Sequence, residues 1–238
     1  MDKKLSIRFL DIYNQLDNYL RKRLERDDDV SHSFLIKKAA EKDLVIRSQK
    51  ENLLQFSQLR NAIVHNPDRA IAHPIAEPHS IIVDQYEDVL SKILNPVKAL
   101  SISVPAEKIY KTSLNDIAIN IMRVMNDKVF THVPVIEDDK MVGVFSESVV
   151  FSYLVKHEIV SVDRDIKISE FREFLPHDKH QSEYFLFAMR TASLIEIQKL
   201  FDNELGNNRR LGVVFITHNG KADEKLLGMI TAWDVVGK

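Results

Sequence analysis

Arg60, Asn61 and His65 are the residues of this chain whose types and spacing most directly suggest chemistry. They lie in Leu59-Arg60-Asn61-Ala62-Ile63-Val64-His65-Asn66-Pro67. The arginine guanidinium is a fixed cationic fork that matches phosphate oxygens and stabilises charge developing on them. The imidazole gives or takes a proton near neutral pH. Together they suit cleavage of RNA by its own ribose hydroxyl, a reaction that needs no metal. Leu53, Phe56, Leu59 and Ile63 recur at helical spacing around the stretch, and Pro67 forbids its continuation. Positions five apart on an ideal helix are turned by about 140°. Arg60 and His65 therefore meet only if the helix frays near Asn66 or a second subunit completes the site. The alternative is structural: Arg60 lays its stem on the helix surface and His65 shields the C-terminal carbonyls.

The order R-N-x-x-x-H followed by a polar residue resembles the R-x-x-x-x-H signature of the HEPN superfamily. The resemblance implies a small helical bundle, and in many members a metal-independent endoribonuclease that acts as a dimer. His73, Glu77 and His79 lie nearby, but zinc ligands usually keep a better-defined spacing, so no metal is expected.

The elements that must position these groups follow from composition and periodicity. A length of 238 residues suits two domains, and 45% hydrophobic residues suffice for buried cores. The absence of cysteine removes disulfides, thiolate metal sites and thiol nucleophiles. No apolar run reaches membrane-spanning length, and Met1-Asp2-Lys3-Lys4 does not open a signal peptide, so the expected location is the cytoplasm. Residues 1–100 hold 16 Lys/Arg against 15 Asp/Glu, leaving 17 against 20 for the remainder. Neither part has the basic excess of a protein that grips long nucleic acid through its backbone. An RNA substrate would be engaged locally.

Glycine is absent before Gly143, which separates a helical N-terminal region from a strand-rich remainder. Leu5, Phe9, Ile12, Leu16 and Leu20 predict an amphipathic first helix. Phe34, Leu35, Ala39 and Leu44 predict a second, the motif helix is the third, and Ile82 to Leu94 predict a fourth. Four helices within residues 1–100 fit a small bundle.

From about residue 101 the order becomes helix from Ser113, strand 132–136, turn at Asp138-Asp139, strand 141–145 and helix from Ser146. It recurs as a helix capped by Ser193-x-x-Glu196, strand 210–216, turn 218–220, strand 226–230 and a helix opened by Thr231. Tyr184 to Met189 predict a lead-in strand, and Ile168, Phe171 and Phe174 a short helix between the copies. The expected boundaries are a bundle at 1–100, repeats at 101–158 and 183–238, and a linker at 159–182.

The repeat resembles the CBS motif, and the pair resembles a Bateman module. Gly228-Met229-Ile230-Thr231-Ala232-Trp233-Asp234 matches the G-h-x-T-x-x-D pattern that closes a nucleotide-binding CBS repeat. The resemblance implies that Gly228, Thr231 and Asp234 belong to a site for AMP, ADP or ATP. It implies Thr231 and Asp234 on phosphate and ribose, with Arg209 or Arg210 on phosphate. In the first repeat Gly143 and Ser146 match, but Val149 replaces the aspartate. Physically, a strand running into a helix N-terminus presents free N–H groups to an anion. The alternative is that Thr231 and Asp234 only cap a short helix. The fold class expected is α+β: a HEPN-like bundle followed by a CBS pair. The expected protein is a cytoplasmic homodimer, with no membrane contact, that senses an adenosine nucleotide and so controls RNA cleavage by Arg60, Asn61 and His65. The alternative is a non-catalytic regulator whose bundle dimerises or docks.

Overall fold

The computed structural model describes residues 4–26, 29–64, 74–202 and 209–235. The chain divides into two compact units, Met1–Val97 and Lys98–Lys238.

The first unit is helical: α1 (Leu5–Leu24), α2 (His32–Lys42), α3 (Leu44–Ser48), α4 (Lys50–Val64) and α5 (Ser80–Leu94). The apolar stripe of α1 is the inner face, with Phe9, Ile12, Leu16 and Leu20 at most 3% exposed. It packs with Leu35 and Ile36 of α2, Leu53, Phe56 and Ile63 of α4, and Val83, Tyr86 and Ile93 of α5 in one core. Phe9, Phe56 and Tyr86 form an aromatic centre, with Phe56 and Tyr86 stacked at 4.3 Å. Truncating a buried leucine here, such as Leu16→Ala, removes about 2–5 kcal/mol.

The second predicted helix is in fact two. Asp43 adopts an extended conformation (φ −106°, ψ 117°), and its carboxylate accepts from the Val45 and Ile46 N–H groups, so Leu44 starts a new helix. Phe34, expected on the apolar face, is exposed, and Leu35 and Ile36 take the core positions.

The second unit contains β1 (Val104–Pro105), α6 (Ala118–Lys128), β2 (His132–Glu137), β3 (Lys140–Ser146) and α7 (Glu147–His157). It continues with β4 (Glu183–Met189), α8 (Leu194–Asp202), β5 (Arg210–Thr217), β6 (Gly228–Ile230) and α9 (Ala232–Val235). Short 3-10 turns lie at Ala99–Ser101 and Ile168–Phe171. One sheet has the order β1-β6-β5-β4, and β2-β3 is a separate hairpin.

The repeat is visible in the pairing. β4 runs parallel to β5, with α8 as the crossover a parallel pair requires, and β6 returns antiparallel. In the first repeat the lead-in strand shrinks to Thr112, which bridges Val135 in parallel before α6 and the hairpin. Asp138 and Asp139 turn that hairpin at φ 48° and 61°, both in the left-handed region that a two-residue turn needs. Ser193 and Glu196 form the predicted capping box: Ser193 N–H donates to the Glu196 carboxylate at 2.6 Å, and Glu196 N–H returns to Ser193 Oγ at 3.4 Å.

One boundary shifts. The helix expected from Ser113 begins at Ala118, because the Asp116 carboxylate accepts from Ser113 N–H (2.7 Å) and Thr112 Oγ (2.9 Å) and holds a turn there. Val149, which stands where the second repeat has Asp234, is buried with Phe145, Phe171 and Leu175; Phe151 and Val155 are the exposed apolar residues of α7.

Candidate functional site

Thr231 follows β6, and Asp234 lies one turn into α9. Thr231 donates its N–H (2.7 Å) and its hydroxyl (2.8 Å) to one oxygen of the Asp234 carboxylate, and Asp234 N–H donates to the Thr231 carbonyl at 3.1 Å. The capping arrangement is thus present, and it also brings a hydroxyl and a carboxylate side by side, both partly exposed. Trp233, between them, is 88% exposed.

Gly228 has a packing role of its own. A Cβ there would overlap Ser103 Oγ and lie 3.2 Å from the Val104 carbonyl, since β1 crosses beside β6. Arg210 opens β5 and is exposed. The ladder pairs Val214 with Ile230, so Thr231 falls opposite Val213, three residues or about 10 Å along the strand from Arg210. Arg209 donates instead to the His180 carbonyl at 3.3 Å.

Ser146, the residue matching Thr231 in the first repeat, stands in a different environment. It is 1% exposed and donates to Glu183 Oε1 at 2.7 Å. The same oxygen accepts from Ser148 Oγ at 2.6 Å and faces His180 Nδ1 at 3.2 Å. Glu183 Oε2 faces His132 Nε2 at 2.7 Å. The other nitrogen of His132 meets Thr131 Oγ1 at 2.8 Å, and that of His180 meets the Leu175 carbonyl at 3.2 Å. Burial alone would push the Glu183 carboxyl up. Hydrogen bonds from His132, His180 and Ser148, with the charge of His132, outweigh burial and hold it far below the usual carboxylate range. Two hydroxyls and two imidazoles from the first repeat and its linker thus converge on one carboxylate of the second repeat.

The first unit carries Arg60 and Asn61 near the end of α4. The Arg60 guanidinium lies 5.1 Å from the centre of the Tyr13 ring, and its Nη1 reaches Asn61 Oδ1 at 3.4 Å. Its Nε is buried and has no hydrogen-bond partner among the described residues. His65 and His73 lie outside the described residues. Beside Tyr13 is His32, with ring centres 4.2 Å apart, whose Nδ1 meets Asp17 Oδ1 at 2.6 Å. Burial pushes the His32 imidazole down against the opposing pull of Asp17. Asp17 is itself held low because bonds from Arg21 and His32 outweigh its burial. Glu77 accepts from Ser6 N–H (2.7 Å) and Oγ (2.6 Å), so it ties down the start of α1. No group of metal-ligating side chains is found among the described residues.

Glu183, His132, His180 and Ser148, and the Asp17–His32 pair, escaped sequence reasoning. Each partnership spans at least 15 residues of sequence or crosses between repeats, except His180–Glu183. Ser146 alone carried a signal, through its place in the repeat. Two of the cavities in the second unit, each about 230–250 Å³, are lined by groups such as Glu107, Lys111, Asp139 and Lys225, or Met122, Met125 and Glu147; neither includes Thr231 or Asp234.

Comparison with known proteins adds the following. The CBS domain model matches residues 102–156. Solved structures with similar folds include CBSX2 in complex with AMP (15% identity over 59% of this chain and 93% of that one, TM-score 0.41). They also include CbpB in complex with c-di-AMP (18%, 64% and 90%, 0.45) and a hemolysin-like protein containing a CBS domain from Oenococcus oeni PSU (13%, 61% and 91%, 0.39). No curated protein matches the sequence. No helix among the described residues is long and apolar enough to cross a membrane. Residues 102–156 of this chain are a CBS domain, and the segment from β4 to α9 repeats its order of elements.

Proposed function

We propose that this chain is a regulatory protein whose CBS pair senses an adenosine nucleotide through the second repeat. The observation that carries the reading is the pairing of Thr231 and Asp234 at the turn between β6 and α9, in the order the nucleotide-binding CBS pattern requires. In this reading the Thr231 hydroxyl turns from Asp234 to a phosphate, and the Asp234 carboxylate takes the ribose hydroxyls. Arg209 or Arg210 balances phosphate charge from the start of β5. Binding shifts the balance between two arrangements of a homodimer by no more than the difference in affinity for them. The test is calorimetric titration with AMP, ADP and ATP of the wild type and Asp234→Ala. Binding of one nucleotide that Asp234→Ala weakens supports the reading; absence of binding, or equal binding by the variant, leaves Thr231 and Asp234 as a cap.

A second reading concerns the helical unit, and the buried Arg60 Nε, which has no hydrogen-bond partner among the described residues, favours it. A guanidinium held over Tyr13, close to Asn61, suits an oxyanion. With Asn61 and His65 it would support metal-independent RNA cleavage in a HEPN-like bundle, under the control of the nucleotide. Incubating the protein with mixed RNA and EDTA, beside His65→Ala, tests this. Cleavage by the wild type alone supports it, and cleavage by His65→Ala removes it.

A further inference from the structure

The first-repeat turn between β3 and α7 has the side chains of an anion site, and its occupant comes from the same chain. Ser146 and Ser148 offer hydroxyls at 2.7 and 2.6 Å, His132 a ring nitrogen at 2.7 Å and His180 one at 3.2 Å. All four point at the Glu183 carboxylate, which is 2% exposed. Arg209 adds a cation beside the cluster through its bond to the His180 carbonyl. Ser146 does not cap α7 with its side chain, and its hydroxyl is directed to Glu183.

The cluster is also held by the backbone. The Val144 N–H donates to the Leu175 carbonyl at 2.8 Å, the same carbonyl that His180 Nε2 contacts. The register sets Glu183 opposite Arg210 and at the start of β4, where the carboxylate reaches His132 of β2 and Ser146 of β3. A carboxylate and a phosphate group present similar acceptor oxygens to such donors. We propose that the first repeat retains an oxyanion site that the Glu183 carboxylate occupies in cis, excluding a phosphate group from it. The proposal rests on the first repeat's own donors and holds whether or not Thr231 and Asp234 bind nucleotide.

Glu183→Ala tests it, with inorganic phosphate as the probe and Thr231→Val in the background to remove the hydroxyl that the second repeat would offer to phosphate. The wild-type first repeat is expected to show no phosphate binding by calorimetry. Glu183→Ala is expected to bind phosphate measurably, and to lose at least tenfold in that affinity when Ser146 and Ser148 are also made alanine. Acetate, which replaces the missing carboxylate alone, is expected to raise the melting temperature of Glu183→Ala and leave the wild type unchanged. If Glu183→Ala folds poorly in anion-free buffer, phosphate or acetate is expected to restore its cooperative circular-dichroism melt. A Glu183→Ala protein indifferent to both anions, folded or not, overturns the proposal, because Glu183 is then only a brace between the repeats.

Discussion

Gly228 faces Ser103 so closely that a Cβ on the glycine would overlap the serine hydroxyl and sit 3.1 Å from its Cβ. Gly143 stands in the same relation to Leu175, whose carbonyl a Cβ would overlap and whose own Cβ would lie 2.7 Å away. The two glycines hold the same position in the two repeats. At each, the segment leading into one repeat crosses the last strand of the other: β1 against β6, and Leu175 against Val144. The exchange helps join the repeats into one unit, beside the Glu183 cluster, and the glycines make the crossings possible.

Gly143→Ala is therefore expected to destabilise the second unit more than Gly228→Ala. Its obstacle is backbone, whereas the Ser103 hydroxyl of the other crossing can move. Overpacking of this kind costs about 1–3 kcal/mol. Adding Ser103→Ala to Gly228→Ala should recover part of the loss. Denaturant melts compare the variants; equal stability of Gly143→Ala and wild type would contradict the crossing.

Legibility from sequence followed the range of the interaction. The α1 stripe from Phe9 to Leu20, the Ser193–Glu196 cap and the strand over Tyr184 to Met189 all come from periodicity or contacts within a few residues. The break at Asp43 was missed because its cap competes with a continuous apolar pattern through Leu44. Glu183 was missed because its polar partners, apart from His180, lie 35 to 51 residues away, and nothing local marks a glutamate at a strand end as buried. Gly228 was legible as a motif residue, yet its contact with Ser103 follows only from the exchange between repeats.

Glu183 should also set the acid stability of the second unit. Its folded-state pKa is depressed, so its contribution is fully present above the ordinary carboxylate value of about 4.5 and is lost as pH falls below it. Glu183→Gln leaves buried donors without their charged acceptor, at a cost of about 3–5 kcal/mol near neutrality. The gap between wild type and Glu183→Gln should stay constant from pH 7 to about 5 and narrow below that. Urea melts across that range measure it; a gap independent of pH down to 3 would mean that the carboxylate charge is not what the cluster holds.

His32 gives the first unit the same sense of pH dependence at a higher pH. Its folded-state pKa lies below the ordinary imidazole value of about 6.5, mainly through burial. The folded state then binds fewer protons than the unfolded state around that pH, so stability is intact above about 6.5 and falls as pH drops below it. The slope is at most about 1.4 kcal/mol per pH unit for one proton. His32→Gln, which does not titrate, should lose stability near neutrality and flatten this part of the profile. An unchanged slope in His32→Gln would assign the proton uptake elsewhere.

Asp234 and Val149 occupy matching positions in the two repeats, so changing each to alanine separates ligand binding from packing. Asp234 is partly exposed, and its carboxylate is engaged by Thr231 alone in the hydrogen bonds described above. Val149 is 2% exposed within the first-repeat core. Loss of the Asp234 carboxylate would leave ribose hydroxyls unpaired at about 1–3 kcal/mol per buried group. Asp234→Ala should therefore weaken nucleotide binding at least tenfold, since about 1.4 kcal/mol is one decade, with a small change in melting temperature. Val149→Ala should lower the melting temperature through the cavity it leaves and keep the dissociation constant within about twofold. Trp233, 88% exposed beside Asp234, gives a fluorescence readout of the same titration without a label. If Val149→Ala and Asp234→Ala shift affinity equally, the nucleotide is not bound at the second-repeat turn.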